Sequence, residues 1–225
     1  MSRNIGCVIQ NNWARPEKSK IDAFRGCAVA NLDDCMNRTA AVSSRIRPMN
    51  HAPLLGSAFT VKVAQGDNLM FHKAMDMAQQ GDVVVIDAGG FTDRAILGEL
   101  MITYCKSRGL AGVIVDGSIR DSDAIAEMNF PVYAAGVSPN GPYKNGPGEI
   151  GTVISFGGQV VRPGDIVIGD GDGILIIQPE DADDLLAKVR QVQSKEEEIL
   201  KKIQEKGEYI RPWVDQILDQ IGCER

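Results

Sequence analysis

The sequence predicts an α/β fold, and three observations carry that prediction. A continuous apolar run, Val83-Val84-Val85-Ile86-Asp87, is followed by a helix-length segment from Gly98 to Arg108 and by a second apolar run, Gly112 to Val115. Runs of this kind belong to strands buried on both faces, as in parallel sheets crossed by helices. Residues 150–177 then break into short β-like segments, separated by Gly157-Gly158, Arg162-Pro163-Gly164 and Gly171-Asp172-Gly173. From Gln178 onward the chain turns helical, with acids in the first turn. At 225 residues and 44% hydrophobic side chains one large core can be filled. Residues 1–225 therefore read as a single domain, with 179–225 a C-terminal helical extension.

Taken in order, Ile5 to Ile9 is a first short strand. Asn31-Leu32-Asp33-Asp34 opens a helix that turns Cys35 and Met36 toward the core and is stopped by Arg47-Pro48. Gly56 to Val63 alternates as a strand, with Lys62 on the face opposite its apolar neighbours. Gly66-Asp67-Asn68 starts a helix running to about Gln80. The 83–87 strand is closed by Ala88-Gly89-Gly90, where glycines let backbone approach a ligand. The helix 98–108 and strand 112–116 complete a βαβ-like unit; a short helix at 121–128 and a strand at 131–134 follow. Gly136 to Gly148 is a long Gly/Pro loop, which inside a compact domain is usually functional. Strands are expected at 150–156, 159–161, 165–169 and 173–177. The run Asp170-Gly171-Asp172-Gly173 begins like a calcium loop but has Ile174 where an acid or Asn is needed, so it reads as a tight β-turn. The last long helix passes Lys202, and Arg211-Pro212-Trp213 opens a short terminal one.

A net charge of −6 argues against nucleic acid or an anionic membrane as partner. No apolar stretch approaches the ~18 residues of a membrane span, and no basic-then-apolar leader opens the chain, so a cytoplasmic location is expected. Five scattered cysteines without a CxxC pair read as reduced thiols, and Cys105 as a core residue rather than a nucleophile. Two histidines, His51 and His72, are too few for a histidine-rich zinc site, and His72 reads as a partly buried helix residue. The glycine motifs of dinucleotide and P-loop sites and the GxSxG elbow are missing.

What remains is a carboxylate–arginine–glycine site. Glu99 falls in the first turn of its helix, where free backbone N–H groups receive anions. The Asp116-Gly117 turn delivers Arg120 and Asp121 to one end of the second strand. Arginine is a planar carboxylate clamp, and aspartate a hard ligand for Mg²⁺ or Mn²⁺. Together these residues suit a metal-held oxo acid. In the plainer alternative Asp121 caps the short helix after it and pairs with Arg120.

Gly98-Glu99-Leu100, Val115-Asp116-Gly117-Ser118-Ile119-Arg120-Asp121, Ser138 to Lys144 and the run Arg162 to Gly173 resemble the RraA-like family, over a span from about Val29 to the C-terminal helix. The resemblance implies an α-β-β-α sandwich of the swivelling-domain type. It also implies a class II pyruvate aldolase using Mg²⁺ or Mn²⁺ on 4-hydroxy-4-methyl-2-oxoglutarate or 4-carboxy-4-hydroxy-2-oxoadipate. Oxaloacetate decarboxylation would accompany that activity. Such proteins form homotrimers or homohexamers with sites between subunits. On the matching positions, Asp121 would hold the metal directly and Glu99 through water. Glu196 of an adjacent subunit, or its neighbours Glu197 and Glu198, would also act through water. Arg120 would hold a substrate oxygen, the amides of Gly98, Glu99, Leu100 and Met101 the pyruvyl carboxylate, and Lys144 another part of the substrate. A Schiff-base alternative rests on Lys62 or Lys144. A different class of function also exists in the family, the non-enzymatic inhibition of ribonuclease E; there the acid after the arginine is typically absent, whereas here Asp121 is present.

Overall fold

The computed structural model describes residues 4–224. Its elements in chain order are β1 (Cys7–Ile9), α1 (Lys18–Asp22), α2 (Val29–Cys35), β2 (Arg47–Pro48), β3 (Leu54–Val63), α3 (Leu69–Met77), β4 (Asp82–Leu97), α4 (Glu99–Ser107), β5 (Gly112–Ile119) and α5 (Ser122–Ala126). There follow β6 (Val132–Val137), β7 (Gly148–Ile150), β8 (Ile154–Phe156), β9 (Gln159–Val161), β10 (Ile166–Gly169), β11 (Ile174–Ile177), α6 (Ala182–Lys206) and α7 (Pro212–Gln220). The main sheet runs β1-β7-β3-β4-β5-β6-β2, with the β10–β11 hairpin joined through β3. Its central strands β3, β4, β5 and β6 are parallel, as the apolar runs require.

Three apolar cores separate four layers. Phe71 and Met75 of α3, Ile102 and Cys105 of α4 and Ile125 of α5 pack on one face of the parallel strands, against Val61, Val84, Ile86 and Val115. On the other face Val83, Val85 and Ile114 meet Ile154, Phe156 and Val161 of the β8–β9 hairpin and Val167 and Ile176 of β10–β11. Alternation along β10–β11 then turns Ile166, Ile168, Leu175 and Ile177 outward, where α2 and the first turns of α6 cover them. The result is the expected α-β-β-α sandwich. Beyond Val189 the long α6 has no buried residue, and Ile199 and Leu200, with Trp213 and Ile217 of α7, lie exposed. Among the described residues no helix is long and apolar enough to cross a membrane.

Four elements differ from expectation. β4 does not end at Gly89-Gly90 but continues to Leu97. Both glycines take positive φ (66° and 71°), and the β4–β5 register shifts between Asp87 and Phe91 and again before Leu97. Here glycine absorbs bulges in a strand instead of terminating it. α2 ends at Cys35, because Asn37 and Arg38 turn left-handed (φ 60° each). Arg47-Pro48 is an edge strand paired with β6, a place where proline's missing N–H does no harm. The expected 150–156 strand divides into β7 and β8.

Candidate active site

β4 and β5 finish side by side, with Leu97 opposite Ile119 and the Arg120 amide donating to the Leu97 carbonyl at 3.0 Å. Gly98-Glu99 and Arg120-Asp121 therefore emerge together at the carboxyl edge of the parallel strands, where open α/β sheets bind ligands. Gly98 is the N-cap of α4 and has no side chain to offer. Asp121 takes that role: its Oδ2 accepts from the Glu99 amide at 3.0 Å. A Cβ at residue 98 would collide with this carboxylate and lie 3.0 Å from Arg120 Cγ. Gly98→Ala is therefore expected to push the Asp121 carboxylate off the Glu99 amide and to cost about 0.5–2 kcal/mol, the usual range for a lost cap. The readout is the urea midpoint, and an unchanged midpoint would contradict the contact.

Asp121 itself sits in the left-handed region (φ 56°, ψ 40°), a strained position for a non-glycine residue and one that tends to mark function. Its side chain makes no capping bond to α5, so the simple cap reading is corrected: it caps the neighbouring helix. Arg120 Nε is 3.7 Å from Asp121 Oδ2, and the two side chains are 46% and 42% exposed. That pairing is loose enough to leave the guanidinium available.

A cavity of about 500 Å³ gathers Gly98, Glu99, Leu100, Met101, Arg120, Asp121 and Lys144. Two expected participants lie elsewhere. Lys62 is in register with Asp87 and Glu149 on the face away from Val61 and Val63, so it is not part of this cavity. Glu196 projects from α6, where its Oε2 accepts from Asn31 Nδ2 at 2.6 Å; within one chain it does not join Glu99 and Asp121. Asp116, in the middle of the motif, also faces away from the cavity, accepting from Arg45 Nη2 at 2.5 Å.

The Gly136–Gly148 loop forms one wall through Gly141, Pro142 and Lys144. The part of β4 that was not expected ties it down. Arg94 donates to the Gly141 carbonyl at 2.5 Å and stacks 4.2 Å over the Tyr143 ring, while Ser138 Oγ and Asn140 Nδ2 both donate to the Asp93 carbonyl. Asn68 and His72 complete the lining from α3 and were not singled out as site residues. Their spacing of four along a helix was the available signal. Asn68 Nδ2 donates to the Ile96 carbonyl at 2.9 Å, but its buried Oδ1 has no partner among the described residues. Burial first, then the Lys144 charge, pushes the His72 imidazole below its usual range, with Asp76 opposing.

Glu99 and Asp121 are two hard oxygen donors lining one cavity. Such a pair fits Mg²⁺ or Mn²⁺, which take one or two carboxylates and fill the remaining positions with water and substrate oxygens. No group of three or more His, Cys, Asp or Glu set to hold a metal occurs among the described residues, so within one chain the cavity offers these two carboxylates. Cys105 faces the core from α4, and burial raises its thiol to about 12. A thiol reagent at pH 8 should label exposed Cys7 and Cys223 at once and Cys105 only on unfolding. Rapid labelling of Cys105 in the folded protein would contradict this placement.

The sequence profile of the RraA-like family (Aldolase/RraA) matches residues 28–176, well over half of the chain. A protein of Halalkalibacterium halodurans with the provisional name 4-hydroxy-4-methyl-2-oxoglutarate aldolase is 37% identical, over 88% of this chain and 95% of that protein. Among solved structures, an uncharacterized protein from Pseudomonas syringae superposes with a TM-score of 0.77 at 22% identity, covering 86% of this chain and 96% of the other. The RNA-processing inhibitor RraA from a Thermus species gives 0.62 at 26% identity, covering 67% and 92%. The chain belongs to the RraA-like family.

Proposed function

We propose that this protein is a divalent-metal-dependent carbon–carbon lyase that cleaves 4-hydroxy-4-methyl-2-oxoglutarate or 4-carboxy-4-hydroxy-2-oxoadipate to pyruvate and a second oxo acid. The observation that carries the reading is one cavity offering two carboxylates, an arginine, a lysine and a helix N-terminus. That combination receives a cation and a multiply charged anion together. The relatives named for this aldolase point the same way.

In this reading the pyruvyl carboxylate docks on first-turn amides of α4. The Glu99 amide is already engaged by Asp121, which leaves those of Leu100 and Met101 for the anion. Asp121 directly, and Glu99 through water, would hold Mg²⁺ or Mn²⁺, which when bound supplies Lewis-acid polarisation of the substrate's 2-oxo group. The Glu99 carboxylate is the base: through the water it holds, it takes the C4 hydroxyl proton. As that C–O becomes a carbonyl, the C3–C4 bond breaks and its electron pair enters the pyruvate enolate. Arg120 stands against the charge that develops there. Water returns a proton to C3. Lys144 and His72 face the far carboxylate of the substrate. Loss of CO₂ from oxaloacetate gives the same enolate, so decarboxylation should accompany cleavage.

Glu196 would enter from an adjacent subunit of a homotrimer or homohexamer and act through water. Supporting this, Leu100 lines the cavity yet is 83% exposed, while the projecting half of α6 carries exposed Ile199 and Leu200. Release of pyruvate from 4-hydroxy-4-methyl-2-oxoglutarate, followed through a lactate dehydrogenase couple, tests the reading. Binding to a ribonuclease with no pyruvate from any diacid would favour the regulator reading instead. Borohydride added with pyruvate should leave activity intact and the mass of Lys144 unchanged; a trapped adduct on Lys144 would replace metal assistance with a Schiff base.

A further inference from the structure

Asp67 stands two residues before α3 and is 3% exposed. Every contact of its carboxylate is to main chain. Oδ1 accepts from the Leu69 amide at 2.9 Å, an Asx-turn that leads into the first residue of α3. Oδ2 accepts from the Asn145 amide at 2.5 Å and the Gly146 amide at 3.0 Å, the two residues directly after Lys144. Two further bonds lie alongside, from the Tyr143 amide to the Gly66 carbonyl and from the Asn68 amide to the Tyr143 carbonyl. Upstream, Arg94 secures the loop only as far as Tyr143. Between there and β7, Asp67 is the side chain that fixes the backbone carrying Lys144. A buried carboxylate held by charge-assisted bonds to N–H groups is a stiff anchor, and this one joins two walls of the cavity: α3 with Asn68 and His72, and the loop with Lys144.

We propose that Asp67 is a positioning residue: by clamping the Asn145 and Gly146 amides it fixes the Lys144 ammonium opposite His72 and so sets the width of the cavity end that receives the far carboxylate of a diacid. The identity of that diacid rests on the function proposed above; the clamp does not. Lys144 and His72 line the same cavity, and the Lys144 charge helps to lower the His72 imidazole. A residue that merely started α3 would need the Leu69 contact alone and would have no use for the two loop amides.

Serine at this position separates the two roles. Its hydroxyl keeps the turn onto Leu69 but is too short to reach the loop. In Asp67→Ser the His72 titration, followed by NMR beside His51 as internal reference, should move up toward the ordinary imidazole value, because the Lys144 charge draws away. Asp76, the other charge acting on His72, stays on α3. Lys144→Gln should produce the same rise, and Asp67→Ser added to Lys144→Gln should add nothing. For a diacid substrate KM should rise about tenfold with kcat changed by less than about twofold, the loss of one charged contact. His72 unmoved in folded Asp67→Ser, or moved equally when Lys144 is already Gln, would overturn the clamp. If Asp67→Ser does not fold, Asp67→Asn keeps the shape, gives up one acceptor and carries the same titration. The titration needs no turnover, so an inactive protein refutes the aldolase and leaves the clamp decided by His72.

Discussion

Arg120→Ala is expected to lower kcat for pyruvate release by on the order of 10²–10³, the usual loss when a donor aimed at developing negative charge is removed. The backbone of residue 120 is fixed independently of its side chain, through the amide bond to Leu97. Truncation therefore removes the guanidinium without moving the end of β5. The side chain is half exposed and paired with Asp121 only at 3.7 Å, so little stability should go with it. Arg120→Lys should rescue poorly, because an ammonium cannot reproduce a planar fork of donors. A kcat loss below about fivefold in Arg120→Ala would remove the residue from the chemistry.

Asp121→Ala should be the more damaging change, and it has two separable consequences. Losing the α4 cap costs roughly 0.5–2 kcal/mol of stability. Losing a carboxylate proposed to hold the cation should weaken Mn²⁺ binding by more than the roughly 10–100-fold that outer-shell partners contribute. Calorimetry with Mn²⁺ and urea denaturation on the same protein measure both. Asp121→Asn distinguishes them further, since an amide oxygen can still accept from the Glu99 amide while giving up the charge. A stability loss with Mn²⁺ affinity intact would make Asp121 a cap and nothing more.

Much of this site could be read from the chain because local features specify it. The runs 83–86 and 112–115 have no polar side chain inside them, so two adjacent buried strands were legible, and residues just beyond such strand ends have only one edge to occupy. Arg120-Asp121 could be placed near that edge in this way; Gly98-Glu99 were legible only as a helix start, since their place at the same edge depends on β4 running on to Leu97. Lys62 was read correctly onto the face opposite its neighbours by simple alternation, which is also why it misses the cavity. The extension of β4 was not legible. Gly89-Gly90 serves a turn or a bulge equally well, and pairing with β5 decides between them. Asn68 and His72 become site residues only when the 140–147 loop folds over α3, through a bond between positions 78 residues apart. Asp121 as the cap of α4, and not of its own helix, depends on a left-handed backbone that no local rule assigns to aspartate there.

The most direct test strips the protein with EDTA and offers it 4-hydroxy-4-methyl-2-oxoglutarate, then oxaloacetate, before and after adding Mg²⁺ or Mn²⁺, with Asp121→Ala alongside. Pyruvate should form from both compounds only when the cation is present, and not at all in the variant. Full activity in the stripped protein, or equal activity in Asp121→Ala, would contradict the role assigned to Asp121 and Glu99.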